Sequence, residues 1–234
     1  MLRKIVAALP LLILPMQAAA AEQAKFNKDD VERLNAATEV LKEMMGAGDK
    51  AIPANLFAKA HCVVVIPNMK KGGFIVSGKY GRGFATCRNP RGIGWTGPAA
   101  MRAEGGGFGL QIGGSEVDIV LLVMSRKGMD GMLATKFTLG GEASVAAGPV
   151  GRDATAQTDP SMRADILSWS RSRGVFGGLS LQGGTLRGDG DVNDAWYGKN
   201  TTDRDILTGK VKSPRVAAPF LATVRRYGGL REQK

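Results

Sequence analysis

Seven basic side chains, Lys70, Lys71, Lys79, Arg82, Arg88, Arg91 and Arg102, fall between His61 and Ala103 with no carboxylate among them. Set among eight glycines, charge at that density suits the holding of an anion. Ammonium and guanidinium groups supply field and hydrogen bonds, but neither a nucleophile nor a base near neutral pH. The same stretch holds both cysteines, Trp95 and the only histidine of the chain. A Ser-His-Asp or Cys-His device needs that histidine. His61 adjoins Cys62 at the start of an apolar run, where a strand-edge role suits it better than that of a base. Two cysteines and one histidine also make a poor zinc site.

Other chemistry-bearing patterns fall short of their templates. Gly73-x4-Gly78-Lys79 imitates a phosphate-binding loop, but Tyr80 stands where Ser or Thr would touch magnesium and no helix follows. Gly105-Gly106-Gly107-Phe108-Gly109 lacks the spacing of a dinucleotide fingerprint. Asp189, Asp191, Asn193 and Asp194 resemble the start of a calcium loop, with Asp194 where glycine belongs and Asn200 where a bidentate glutamate belongs. A weak exposed cation site is the most that segment offers. Glu116 and Asp118, two apart, share a strand face as solvated or ion-paired acids. A hydrolytic role would need them in a deep pocket with a raised pKa. Trp95 either reaches a membrane interface, where tryptophan is favoured, or caps the sheet.

The elements that must position these groups follow from periodicity. Residues 1–21 read as a secretory signal peptide: Arg3 and Lys4, an apolar run from Ile5 to Leu14, then Ala19-Ala20-Ala21. Cleavage there leaves residues 22–234 as a single domain, with its core at about 27–227. That mature chain has 30 basic and 21 acidic residues, a net charge of +9. An exported basic protein meets anionic lipid headgroups, cell-wall polymers or acidic proteins; nucleic acid is not expected. In an oxidising compartment Cys62 and Cys87 either pair or stay as two buried thiols. A closed loop of about 26 residues would contribute roughly 3.5 kcal/mol.

An amphipathic helix is predicted from Asn27 to Met45, with Val31, Leu34, Thr38, Leu41 and Met45 on one face. A short helix follows Pro53 to Ala60. From Cys62 the period becomes that of strands with glycine turns, through CVVVI, GGFIVSGKY, RGFATCR, GGFGLQIGG and SEVDIVLLVMS. The run Ile119–Met124 is apolar on both faces and reads as a central covered strand. Further helices are predicted at Lys127–Thr135, Ser161–Arg173, Asp203–Leu207 and Arg215–Tyr227, with Trp169 in the core. The fold class is therefore α+β. A glycine-rich, mostly antiparallel β-sheet, curved towards a barrel or sandwich, is flanked by N-terminal, central and C-terminal helices.

The ordered set IPANLFAKAHCVVVIP, KKGGFIVSGKYGRG, GWTGPAAMR, GGGFGLQIGGSEVDIVLLVM, FTLGGEASVAAGPVGRDA, ILSWSRSRGVFGGLSLQG and WYG closely resembles the lipid-binding SYLF domain family. Its yeast members gave that family the alternative name of an actin-binding domain. The exported single-domain form is similar to the bacterial branch. The resemblance implies phospholipid binding, no enzyme activity and no cofactor, with phosphoinositides preferred by eukaryotic members. Eukaryotic members use an N-terminal amphipathic segment at the membrane, whereas the counterpart here is net acidic on its polar face. The expected function is thus binding of anionic phospholipid headgroups at a membrane surface. Lys70, Lys71, Lys79, Arg82, Arg88, Arg91 and Trp95 form the expected contact set. The alternative is a periplasmic interaction or structural module for an envelope protein or polymer. Actin is not an expected partner, no metal site is expected, and the location is periplasmic or secreted, at the membrane surface.

Overall fold

The computed structural model describes residues 26–73, 76–91, 93–108, 113–150, 163–172, 175–177 and 183–229. The signal-peptide reading, residues 74–75, the middle of the predicted GGFGLQIGG strand (residues 109–112) and the segment after Val150 lie outside them.

Helix α1 (Lys28–Met45) is capped by the Asn27 side chain, which accepts from the Asp29 N–H, and ends at Gly46. It lays Leu34, Ala37, Val40, Leu41 and Met44 on the sheet. The short α2 (Ala54–Lys59) follows Pro53. Then come four long strands: β1 (Cys62–Gly73), β2 (Val76–Cys87), β3 (Ala99–Phe108) and β4 (Gly113–Val123). After α3 (Arg126–Met132) the chain adds β5 (Phe137–Thr138), β6 (Val145–Ala147), β7 (Ile166–Ser172), β8 (Val175–Gly177) and β9 (Thr185–Gly188). Helices α4 (Gly190–Tyr197), α5 (Asp203–Leu207) and α6 (Ala218–Gly228) complete it.

The strands form one curled sheet in the order β5-β9-β3-β2-β1-β4-β7-β6, with β8 paired onto β7. Every described pairing between these strands is antiparallel except β6 with β7. This is the expected α+β half-barrel. Both faces are covered. On one, Val63, Val65, Phe84, Val120, Leu122 and Trp169 pack under α1, α2, α4 and α6. On the other, Val64, Ile66, Met101, Ile119 and Leu121 pack under α3, α5 and the Phe137–Leu139 segment. The second half of β4 is the covered central strand that its unbroken apolar run predicts, since Ile119 to Val123 are at most 1% exposed.

One prediction is overturned. Within the predicted helix Ser161–Arg173, the described residues Ile166–Ser172 are strand β7, antiparallel to β4 and parallel to β6. The segment ILSWSRS alternates as well as it repeats at helical spacing: Leu167 and Trp169 enter the helical core and Ile166 the opposite one. Two flanking ladders and burial on both faces outweigh the local helical pattern. Conversely, the Asp189–Asp194 segment is no loop. Residues Gly190–Tyr197 are α4, and they bury Val192 and Trp196.

The cysteines, which the sequence left between two states, lie directly opposite on β1 and β2 and are joined by a disulfide.

Candidate functional site

The placement of the lysines depends on an irregularity in β1. Val65 pairs with Phe84, yet Lys70 pairs with Tyr80, so β1 carries one extra residue against β2. The same single-residue excess separates the Ile66–Ile119 and Met69–Val117 pairs with β4. Asn68 occupies this bulge at φ 50°, a left-handed conformation that Asn tolerates. Across from it, Gly83 lets the strands approach, because a Cβ there would collide with the Val65 carbonyl oxygen. Side chains alternate along a strand, so one extra residue inverts the faces beyond it. Met69 continues the Ile66 face, and Lys70 emerges on the helix-covered face with its cross-strand neighbours Tyr80 and Glu116. Lys71 faces Lys79 on the opposite side.

Beyond this lysine row the sheet is stripped. Gly114, Gly72, Gly78 and Gly106 form one transverse row across β4, β1, β2 and β3. A Cβ on Gly72 or Gly78 would meet nothing within 4 Å. An open cleft of about 830 Å³ lies here, bordered by Lys70, Lys71, Lys79, Tyr80, Glu116 and Asp118 among others. A second hollow of about 420 Å³ shares Asn68, Lys70 and Tyr80 with it and runs along α1 past Arg33 and Ala36. Tyr80, 46% exposed, stands where the two meet.

The electrostatics divide the basic residues sharply. Among the described residues no carboxylate pairs with Lys70, Lys71 or Lys79. The Lys71 ammonium is held below its ordinary pKa, first by burial and then by Lys79. Like charges directly opposite on neighbouring strands cost stability, and an anion between them reverses that sign.

Arg82 is different. Its guanidinium sits 2.5 Å from Asp189, with Asp30 of α1 at 3.9 Å. Arg102 takes the other Asp189 oxygen at 2.5 Å and reaches Asp191 at 3.1 Å. Burial alone would raise the Asp189 carboxyl, but hydrogen bonds from Arg102 and Arg82 outweigh it and hold the group below its usual range. Two of the acids that imitated a calcium loop, Asp189 and Asp191, are therefore the counter-ions that tie the start of α4 to β2 and β3.

Arg88 and Trp95 leave the expected contact set for another reason: they are buried, at 3% and 5% exposure. Arg88 donates to the carbonyls of Ala58, Ala60, Gly228 and Gly229. Its guanidinium lies 4.4 Å over the Trp95 ring, and the Trp95 indole N–H also donates to Gly229. A cation on carbonyls at the C-terminal ends of α2 and α6 complements both helix dipoles. Trp95 is the sheet cap, not an interfacial anchor. Arg91 is exposed but lies past the far end of β2. Eight residues of strand separate Lys79 from Cys87, about 27 Å, so one headgroup cannot touch both ends.

Glu116 and Asp118 do border the cleft, and burial, with Glu116 beside it, pushes the Asp118 carboxyl up against the Asn68 hydrogen bond. Its oxygens are nevertheless occupied. One accepts the Asn68 N–H at 2.9 Å, and the other takes two bonds from Arg171, which also contacts Glu43 of α1. The Arg171 contact favours the ionised form. This arrangement holds α1 to the sheet and occupies both oxygens of Asp118.

Residues 104–227 match the family described as Ysc84, Las17-binding protein actin regulator. The chain is 34% identical over 182 residues to Protein YSC84 of Saccharomyces cerevisiae, covering 76% of this chain and 38% of that protein. It is 32% identical over 181 residues to LAS seventeen-binding protein 3 of the same yeast, at 76% and 39% coverage. With the SH3 domain-containing YSC84-like protein 1 of Rattus norvegicus it shares 34% over 170 residues, at 72% and 49%. The chain thus spans about two fifths to a half of the length of these relatives.

Proposed function

The chain belongs to the Ysc84 (SYLF) family, and on that premise we propose that it is a non-enzymatic module binding anionic phospholipid headgroups at a membrane surface. One observation carries the reading: of the basic stretch, Lys70 from one face of the sheet and Lys71 and Lys79 from the other alone border the open cleft without a carboxylate partner among the described residues. The arginines around them are spent on Asp189 or on backbone carbonyls. Surface lysines near an anionic membrane contribute about 1 kcal/mol each, so three together give modest, salt-sensitive attachment. The relatives are named for binding and regulation, which supports a role without catalysis. The Cys62–Cys87 disulfide supports export to an oxidising compartment, where a surface-associated, periplasmic or secreted protein would meet lipid.

Flotation with neutral and anionic vesicles at about 50 and 300 mM salt tests this. The expected result is attachment that needs anionic lipid, fades with salt and is lost on combining Lys70→Glu, Lys71→Glu and Lys79→Glu. Undiminished flotation of that folded variant would sink the site.

A second reading takes its support from LAS seventeen-binding protein 3, named for a protein it binds. Here an envelope protein or polymer docks on the same lysines. It predicts co-purification with such a component and no flotation at physiological salt.

A further inference from the structure

The cleft is dipolar. Glu116 stands directly opposite Lys70 on the neighbouring strand and the same face, and both are exposed. Among the described residues no carboxylate lies within ion-pair distance of Lys70, and no cation within that distance of Glu116. Cross-strand partners are about 5 Å apart at Cα, so the two side chains present a positive and a negative pole side by side. Tyr80, in register with Lys70 on its other flank, adds a half-exposed aromatic face. The glycine row beyond leaves open space above the backbone.

We propose that this cleft selects a phosphate carrying a primary amine two carbons away, that is, the phosphoethanolamine headgroup of a membrane lipid. The inference rests on the headgroup reading above and adds specificity to it. The phosphate oxygens accept from Lys70, with Lys71 and Lys79 raising the local potential. The ammonium donates to the Glu116 carboxylate, the ethylene link spans the gap between the Lys70 and Glu116 side chains, and Tyr80 walls the other flank of Lys70. A quaternary choline has no N–H to donate, so it loses the Glu116 hydrogen bond. A headgroup with no cation at all places its own negative charge beside Glu116.

The test uses vesicles of equal anionic-lipid content whose remainder is either phosphatidylethanolamine or phosphatidylcholine. Binding to the ethanolamine vesicles is expected to be tighter by roughly three-fold, the size of an exposed ion pair. Glu116→Gln should erase that ratio while leaving salt-sensitive attachment in place. Equal affinity for the two vesicle types, or a ratio that survives in Glu116→Gln, overturns the proposal and leaves the headgroup reading intact. If neither vesicle binds, the headgroup reading falls. Titration with soluble glycerophosphoethanolamine against glycerophosphocholine, followed at the amides of Lys70, Tyr80 and Glu116, then decides separately. Ethanolamine-selective shifts abolished by Glu116→Gln support the dipolar site for the free headgroup, and their absence overturns it.

Discussion

The backbone N–H of Asn68 lies 2.9 Å from Oδ1 of Asp118, a carboxylate on the neighbouring strand. That single bond fastens the bulge that decides which face of the sheet Lys70 serves. Asp118 reaches Asn68 with one oxygen and Arg171 with the other, so the lysine row, β7 and α1 share one anchor.

Asn68 should accept glycine and resist a β-branched residue. Asn68→Gly is expected to stay within about 0.5 kcal/mol of the parent, whereas Asn68→Val should cost about 1–2 kcal/mol because the left-handed region is closed to it. Urea denaturation of the two variants measures this. Equal stabilities would mean that the bulge relaxes when Asn68 is replaced.

Arg88→Ala should destabilise by about 3 kcal/mol or more, since it empties a buried site and leaves four carbonyls seeking donors. Arg88→Lys should recover little, because one ammonium cannot span carbonyls on two helices or stack on Trp95 as a planar guanidinium does. Thermal melts give the ranking. A lysine variant as stable as the parent would refute the clamp.

Opening the Cys62–Cys87 disulfide, with a sequence separation of 25, should lower stability by about 3.5 kcal/mol through the greater freedom of the unfolded chain. Denaturation of the Cys62→Ser, Cys87→Ser protein, compared with the parent with and without reductant, tests it. The parent under reductant should fall to the level of the double variant.

Asp189 makes stability depend on pH at the acid end. Its folded pKa lies below the unfolded value of about 3.9. Its contribution is therefore complete above that value and is lost as pH falls through the lower folded one. Asp189→Asn should be less stable than the parent by a constant margin from pH 8 to 5, by about 3 kcal/mol for a broken buried pair. The margin should begin to narrow below about pH 4 and close only below the lower folded pKa. A gap that stayed open in acid would assign the cost to packing instead of charge.

Much of the architecture was legible because short-range signals and burial agree. Asn27 caps α1, Pro53 precedes α2, and the unbroken apolar run Ile119–Met124 is a covered strand as far as Val123. The failure at Ser161–Arg173 arose where two periods fit the same residues and only non-local pairing with β4 and β6 could choose. The site was legible in charge but not in geometry. Seven cations without a nearby acid in sequence looked like one patch, yet Asp189 answers Arg82 across 107 residues and Gly228 answers Arg88 across 140. Counter-ions at such separations leave no local trace. Glu116 was visible as an acid, but its place opposite Lys70 needed the bulge, which no periodicity announces.

The Arg88 clamp also sets an order of events. Two of its four carbonyls belong to Gly228 and Gly229, while β9 completes the flank of β3 only after residue 185. As the ribosome extends the chain, everything before residue 185 emerges without the strand that flanks β3 and without two of the carbonyls that Arg88 serves. Closure waits for the final helix. The contacts of α6 and Gly229 with Arg88 are thus among the last that synthesis supplies, almost at the last residue described.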